Sequence, residues 1–265
     1  MGVCSYCKEE RKLSREHIIP AFLSRIQKKD GDLISWNGAA NKLLSGEAQI
    51  KDVCGPCNNE RLGELDGYAK QTLEKAKVLR ENFTSTGFRI SCDTEKLSRW
   101  VLKLVFNSAR ATGNQPEFFY GFESFILSGE QRPTNFQFFG GLHKPVVLTR
   151  EQIREYKDTL HFDKSGRCNP LFVRVVTSPT NNSKYIVRTV VIGALLLSVA
   201  VFHPNVKKGF QSAKVRKVCK KHGGMQPIDL DISILTISQI EFTALDTLKS
   251  HFSQLESMGL GSNTT

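Results

Sequence analysis

The sequence has no apolar stretch long enough to cross a bilayer. Its longest apolar run, Thr189 to Phe202, is interrupted by Gly193 and Ser198 and falls short of the roughly 20 residues that a spanning helix needs. Such a run is typical of buried strand. The polar N-terminal residues also lack the apolar segment of a secretory signal peptide. We therefore expect a cytoplasmic protein with no membrane partner.

Acidic residues are in deficit, and internal repeats and low-complexity tracts are absent. The 265 residues include 37 Lys and Arg against 26 Asp and Glu, a formal net charge of +11. Excess positive charge favours polyanionic partners, because a cation that neutralises a phosphate releases counterions. Charge alone does not separate DNA from RNA or from an acidic membrane surface. The hydrophobic content of 40% is ordinary for a globular chain and excludes a disordered one.

The seven cysteines are odd in number, and four of them form two Cys-x-x-Cys pairs, Cys4 with Cys7 and Cys54 with Cys57. In a reducing cytosol such pairs are typical of metal sites rather than disulfides. Each pair has the spacing at which two thiolates reach one tetrahedral Zn²⁺ at roughly 2.3 Å. Four thiolates fill every position, so we expect a closed, structural zinc site. The alternatives are four unrelated cysteines or a redox pair, which would need a thioredoxin-like context.

Hydrophobic periodicity predicts a mixture of helices and strands. The predicted helices are Ala21–Gln27, a segment from Cys57 onward, 94–111 with Thr94 as N-cap, and 239–257. The predicted strands are 14–20, 135–142, 146–148, 171–177, 185–192 and 195–202, with a turn-rich segment at 30–47 and a hairpin turn at 181–184. The strands after residue 116 are expected to form an antiparallel sheet, and the aromatic residues of 118–125 to lie in its core.

The stretch between the cysteine pairs carries the most specific motif. Residues 14–20 read Ser-Arg-Glu-His-Ile-Ile-Pro, and the second pair closes as Cys-Asn-Asn at residues 57–59. This order of motifs resembles the Cys4-type HNH endonucleases, in the subset with Glu-His in place of Asp-His and Cys-Asn-Asn in place of Cys-His. Each motif alone is weak, but their order and spacing are specific. The resemblance covers about the first quarter of the chain.

The resemblance implies a zinc-stapled ββα-metal fold, in which a hairpin and a helix hold one divalent cation against the scissile phosphate. His17 matches the general base, and an imidazole pKa of roughly 6.5 suits that task. Glu16 matches the acidic ligand of a catalytic Mg²⁺ or Mn²⁺ ion. Asn58 matches the last ligand, and Asn59 is close enough to be the ligand instead. Family behaviour implies 5′-phosphate and 3′-hydroxyl products.

Two departures from the family pattern concern the asparagine and the last histidine. The middle Asn of the HNH name, which braces the loop of the general base, is missing from its usual place at residues 49–53, and Asn37 or Asn41 are the alternatives. Asn58 replaces the last His, and a carboxamide oxygen suits Mg²⁺ or Mn²⁺ better than softer metals. Glu16-His17 as a surface pair and Asn58-Asn59 as helix caps remain alternatives.

Several other residues have a plain structural interpretation beside a functional one. Glu64 and Asp66 lie on the helix after Cys57, where they are solvated or close to the metal. The spacing of Cys219 and His222 would suit a metal, but no second pair accompanies it. The basic run at 207–221 either follows a phosphate backbone or is a solvated face.

The expected architecture is α+β, with an HNH nuclease module at 1–80 followed by an α+β C-terminal domain at 81–265 that holds helices and an antiparallel sheet. The expected function is metal-dependent hydrolysis of nucleic acid, with DNA as the expected substrate. An HNH site cuts one strand, so a double-strand cut would need a homodimer. By family analogy, restriction or antiviral defence is the natural setting. The alternatives are a non-catalytic zinc-binding module that binds nucleic acid, and a scaffold that zinc only staples.

Overall fold

The computed structural model describes residues 1–27, 34–37, 42–45, 47–158, 161–177 and 183–247, with the backbone alone for Gln27, 34–37 and 42–45. Helices and strands are mixed, so the α+β class is confirmed. The strands are β1 (Gly2–Val3), β2 (Glu10–Arg11), β3 (Leu13–His17), β4 (Ile34–Asn37), β5 (Lys42–Ser45), β6 (Gln49–Cys54), β7 (Gly87–Ser91), β8 (Phe136–Lys144), β9 (Val146–Val147), β10 (Arg167–Cys168), β11 (Val173–Thr177), β12 (Tyr185–Ile192), β13 (Leu195–Phe202), β14 (Gln226–Pro227) and β15 (Ile234–Thr243). The helices are α1 (Ala21–Gln27), α2 (Gly63–Lys75), α3 (Thr94–Thr112), α4 (Glu123–Ser128), α5 (Arg150–Tyr156) and α6 (Lys208–Lys221), with a π-helix at Pro56–Leu62 and a 3₁₀ helix at Pro116–Phe119.

The N-terminal strands form small antiparallel pairs. β1 pairs with β2, β3 with β6, and β4 with β5. The β3–β6 pair shifts register between Ser14 and Glu16, which is a bulge. The π-helix follows β6 directly, and α2 continues from it. The predicted strand before Pro20 and the predicted helix from Cys57 are therefore present, the helix opening as a π-helix.

One seven-stranded sheet dominates the later part of the chain, in the order β11-β12-β13-β8-β15-β7, with β14 added beside β8. Most neighbours are antiparallel, but β15 runs parallel to β8, with Gln239 opposite Leu142. The predicted strands β8, β11, β12 and β13 pair antiparallel as expected, whereas β9 pairs with β10 outside this sheet, and the parallel strand β15 was not predicted. Parallel neighbours need a long crossover, and the chain between β8 and β15 supplies one that includes α6.

The central hairpin of β12 and β13 is buried on both faces, and alternate side chains enter two different cores. A tight turn at Gly193, whose φ of 54° favours glycine, joins the two strands. One face packs in the core that contains α3, through Ile186, Val190, Leu197, Val199 and Val201. The other packs against α6, through Val187, Val191, Leu196, Ala200 and Phe202. Burial on both faces explains the continuous apolar run of this segment.

Helix α3 lies between the N-terminal strands and the sheet, so nearly all of its length is buried. Its N-cap is Asp93, whose carboxylate accepts from the Lys96 backbone N–H at 2.8 Å. The prediction of Thr94 as N-cap is wrong by one residue, because the Thr94 hydroxyl instead donates to the Ile232 carbonyl at 2.9 Å. The apolar core is continuous from Cys4 to Ile237, across the expected boundary at residue 80.

The prediction of a last helix at 239–257 is wrong for its first residues, because β15 extends to Thr243. Residues 244–247 are helical, and 248–257 lie outside the described residues. Parts of the predicted turns at 30–47 and 181–184 also lie outside them.

The aromatic cluster is core as predicted at Phe119, Phe122 and Phe125, whereas Tyr120 is 60% exposed. Within the described ranges no helix has the length and apolar character to cross a membrane.

Candidate functional site

Two turns bring the four N-terminal cysteines together. Cys4 and Cys7 lie in the turn between β1 and β2, Cys54 ends β6, and Cys57 is in the π-helix. Their sulfur atoms all lie within 4.8 Å of one another, and the Cys7 and Cys54 Sγ atoms are 3.7 Å apart. Ligands at ~2.3 Å from a tetrahedral zinc would be about 3.8 Å apart. The cluster therefore fits one metal ion such as zinc, held by four sulfurs with no open position.

The surroundings of the cluster influence the four thiols differently. Burial raises the pKa of Cys4, but hydrogen bonds from the backbone of Cys54, Cys7 and Tyr6 outweigh it and lower the pKa to about 7. The Cys54 N–H donates to the Cys4 Sγ at 3.3 Å. Burial and the neighbouring thiols raise the pKa of Cys57. Several thiolates crowded together repel one another, and a bound cation offsets that repulsion.

His17 ends β3, opposite Gln49 of β6. Its Nε2 atom lies 2.7 Å from the Glu47 carboxylate and 2.9 Å from the Gln49 side-chain nitrogen. The His17 side chain is 30% exposed, so the imidazole is reachable from solvent while one of its nitrogens is held. A carboxylate on one ring nitrogen stabilises the imidazolium and orients the ring, which is the arrangement that a general base needs.

Glu16 points in the opposite direction from His17, because successive side chains of a strand alternate between its faces. It is only 4% exposed. Its Oε1 atom lies 2.8 Å from the Lys103 Nζ of α3, and that ammonium also lies 2.7 Å from the Asp66 carboxylate. Burial raises the pKa of Glu16, and the Lys103 charge opposes that rise. The structure therefore brings Glu16 together with Lys103 and Asp66, and His17 together with Glu47.

A polar network continues from Glu16 along α3. The Asn107 side-chain N–H group donates to Glu16 Oε1 at 3.2 Å and to the His17 carbonyl at 3.4 Å. Its Oδ1 atom accepts from the Tyr6 hydroxyl at 2.7 Å and from Arg110 at 2.9 Å. Asn107 is fully buried. One α3 carboxamide thus ties the strand that carries His17 to the turn that carries Cys4 and Cys7.

The two asparagines after Cys57 are placed differently. The Asn58 side-chain nitrogen donates to Ser14 Oγ and to the Arg15 carbonyl, both at 2.9 Å, so it fastens the π-helix to β3. Asn59 is exposed. Neither is a helix cap, because the π-helix has Gly55 at that position and no side-chain capping bond. Asn58 therefore braces the strand of His17, the task that the sequence suggested for Asn37 or Asn41.

Among the remaining predicted residues in the described ranges, Asp66 belongs to the Glu16–Lys103 cluster, and Glu64 and Cys219 lie outside it. Of the two earlier asparagine candidates, Asn37 has only its backbone described, and Asn41 falls outside the described residues. Glu64 pairs with Lys96 on the surface. Asp66 accepts from the Trp100 indole at 2.9 Å in addition to Lys103. Cys219 lies on α6 itself and is buried where that helix packs on the large sheet.

A catalytic Mg²⁺ or Mn²⁺ at Glu16 and Asn58 does not fit the side chains as they are placed. Within the described ranges, the four cysteines are the single group of three or more His, Cys, Asp or Glu side chains that could hold a metal ion. The Glu16 carboxylate is paired with an ammonium that is fully buried. The positive charge next to Glu16 is thus supplied by Lys103.

Glu47, Lys103 and Asn107 were missed by the sequence analysis. Lys103 and Asn107 are four residues apart, and with Trp100 and Arg110 they form a stripe of hydrogen-bonding side chains among the apolar residues of the buried part of α3. That stripe could have indicated a buried polar site, because polar residues on a buried face need hydrogen-bonding partners. Nothing local in the sequence indicates that those partners are Glu16 and Asp66.

Comparisons with protein-family descriptions, with characterised proteins and with solved structures gave no match to this chain.

Proposed function

We propose that this chain is an endonuclease of the HNH class that hydrolyses phosphodiester bonds of DNA, with His17 as the general base. The observation that supports this most is the pairing of an accessible imidazole with the Glu47 carboxylate at 2.7 Å. This pairing lies at one end of the β3–β6 strand pair, which we call the first hairpin although α1, β4 and β5 lie between its strands, and the four-cysteine cluster lies at the other end. The motif order Cys-x-x-Cys, Glu-His-Ile-Ile-Pro, Cys-x-x-Cys-Asn-Asn supports the class.

The chemistry assigned to His17 follows from its contacts. The Glu47 carboxylate can only accept, so Nε2 carries the proton in the tautomer that pairs with it, and Nδ1 is the nitrogen that takes a proton from the attacking water. The Glu47 carboxylate stabilises the imidazolium that forms. The water oxygen bonds to phosphorus, the bond to the 3′ oxygen breaks, and that oxygen takes a proton from solvent. The products are a 5′-phosphate and a 3′-hydroxyl.

Zinc would be held by Cys4, Cys7, Cys54 and Cys57, where it supplies folding free energy rather than chemistry. The HNH class also uses a catalytic Mg²⁺ or Mn²⁺, and dependence on either ion remains a prediction. Among the residues that the structure describes, the pairing of Glu16 with Lys103 leaves no oxygen cluster for it. No step is therefore assigned to that ion.

A second candidate is a zinc-binding module that binds nucleic acid without cutting it. One observation favours it: the residue expected to bind the catalytic cation has a buried ion pair instead. In this case the Lys103 ammonium would permanently neutralise Glu16 in place of the catalytic divalent cation. The hairpin would keep its shape, and His17 would contact the backbone of the nucleic acid as a polar side chain.

Nicking of supercoiled plasmid, with Mg²⁺ or Mn²⁺ added, separates the two candidates. The proposal predicts at least a hundredfold slower nicking for His17→Ala, the loss typical of a missing general base. His161→Ala is the matched control, because His161 is also exposed and also pairs with a carboxylate, that of Glu81 at 3.0 Å. Nicking by His17→Ala at the normal rate would contradict the proposal. DNA binding without nicking by the unmodified protein under either ion would select the second candidate.

A further inference from the structure

Helix α6 presents a strongly basic surface. Residues 207–221 contain seven Lys or Arg residues and no acidic residue. The helix packs on the large sheet through its buried side, which is formed by Gln211, Val215, Val218 and Cys219. Its opposite side is therefore fixed toward solvent, and the charges on that side cannot turn inward.

Four of these cations form a compact group at the C-terminal half of α6. Arg216, Lys217, Lys220 and Lys221 are all exposed. Residues four apart are neighbours on a helix, so Arg216 lies beside Lys220, and Lys217 beside Lys221. Among the described residues none of the four forms an ion pair, whereas Arg110 and Arg132 pair with carboxylates. Like charges at this spacing destabilise a helix, and an anionic partner would remove that cost.

A cleft of about 530 Å³ lies beside the first turn of α6. It is lined by Ser183, Lys184, His203, Asn205, Val206, Lys207 and Phe210. The Phe210 ring is 42% exposed, and the Lys184 ammonium lies 5.9 Å from its centre. An exposed aromatic ring next to cations is the arrangement on which unpaired bases stack.

We propose that α6 and this cleft bind single-stranded nucleic acid, with the phosphates along the Arg216–Lys221 group and an unpaired base on Phe210. The fourteen residues of α6 span about 21 Å, enough for several phosphates. A single strand fits better than a duplex, because a base inside a duplex cannot enter a cleft. This surface rests on nucleic acid as the partner, but it does not depend on catalysis by His17.

Binding is measured by fluorescence anisotropy with a labelled single-stranded DNA of about 20 nucleotides, long enough for one site. All variants carry His17→Ala and bound zinc, so cleavage plays no part. The test variant replaces Arg216, Lys217, Lys220 and Lys221 by Gln. The matched control replaces four exposed cations elsewhere by Gln, again one arginine and three lysines, at Arg154, Lys144, Lys157 and Lys164.

The α6 variant is expected to bind at least tenfold more weakly, with the control within about twofold of the parent. The dependence of log K on log salt should become shallower by about 2 to 3, because each lost contact with single-stranded DNA removes about 0.7. Equal weakening in both variants would mean that net charge alone acts, and would overturn the proposal. So would unchanged binding by the α6 variant. Thermal melts confirm that both remain folded.

Phe210→Ala tests the stacking part separately. We expect about tenfold weaker binding with an unchanged salt dependence, because a stacked base contributes without charge. Tyr120→Ala is the control, as an aromatic residue that is 60% exposed and outside the cleft. No loss in Phe210→Ala, tighter binding of duplex than of single strand, or sedimentation with phosphatidylglycerol vesicles in place of DNA binding would each overturn the proposal. The plasmid assay of His17→Ala is independent of all of these results.

Discussion

The β3–β6 hairpin and the β12–β13 hairpin are both antiparallel, but different interactions stabilise them. Every residue of β12 and β13 is buried, among apolar side chains from two cores. In β3 and β6 only Glu16, Val53 and Cys54 are buried. The central hairpin is therefore stabilised by apolar burial. The first hairpin depends instead on the four-cysteine cluster at the Cys54 end of β6 and on the buried ion pair of Glu16 with Lys103. A hairpin fixed in this way leaves its outer face free to carry His17.

The largest difference between the two hairpins is expected when one sulfur ligand is removed. Cys57→Ser is expected to abolish zinc binding and to unfold the first hairpin, because structural zinc contributes on the order of 10 kcal/mol in small modules. Hydrogen exchange would show lost protection in β3 and β6 and retained protection in β12 and β13. Cys168→Ser, buried but outside the cluster, is the control and should leave β3 and β6 protected. Equal loss of protection in both hairpins would show that they unfold together.

Removing the buried ammonium is expected to have the next largest effect. Lys103→Met leaves Glu16 buried with no cation, which should lower the free energy of unfolding by about 4 kcal/mol in urea titrations. Lys96→Met on the same helix should cost less than about 1 kcal/mol, since its partner Glu64 is exposed. Adding Glu16→Gln to Lys103→Met should restore part of the loss. If Lys103→Met costs no more than Lys96→Met, the polar network does not stabilise the hairpin.

A smaller effect is expected in acid, where the large sheet loses stability through His143. Burial lowers the pKa of His143 in β8 to about 4, so the imidazole stays neutral in the folded protein. The unfolded chain binds this proton near pH 6.5. The contribution of His143 is therefore complete above pH 6.5 and is lost as pH falls toward 4, by about 3 kcal/mol.

Urea titrations at several pH values between 7 and 4 measure this loss. Zinc release in acid influences the parent and His143→Gln alike, so the difference between the two isolates the histidine. The difference should be constant above pH 6.5 and should shrink as pH falls below it. A difference that does not change with pH would contradict the buried, neutral state of His143.

Patterns within a few residues predicted much of this structure, and contacts between distant residues did not follow from them. The two Cys-x-x-Cys spacings predicted the sulfur cluster, and the continuous run of β-branched and other apolar residues predicted β12 and β13. The alternation of side chains along a strand implies that Glu16 and His17 point apart, which the motif alone does not reveal. The partner of Glu16 is on α3, 87 residues later, and no spacing rule reaches that far. The prediction of a helix from residue 239 failed for a related reason. The end of β15 pairs with the distant strand β8, and the pairing shifts register between Gln239 and Thr243, so the segment lacks a regular alternation of apolar and polar residues.

Extended X-ray absorption fine structure at the zinc edge tests most directly the claim that four thiolates build the platform for His17. We expect one zinc per chain with four sulfur neighbours at about 2.3 Å and no nitrogen or oxygen neighbour. Well under one zinc per chain, or a shell containing nitrogen or oxygen, would contradict it.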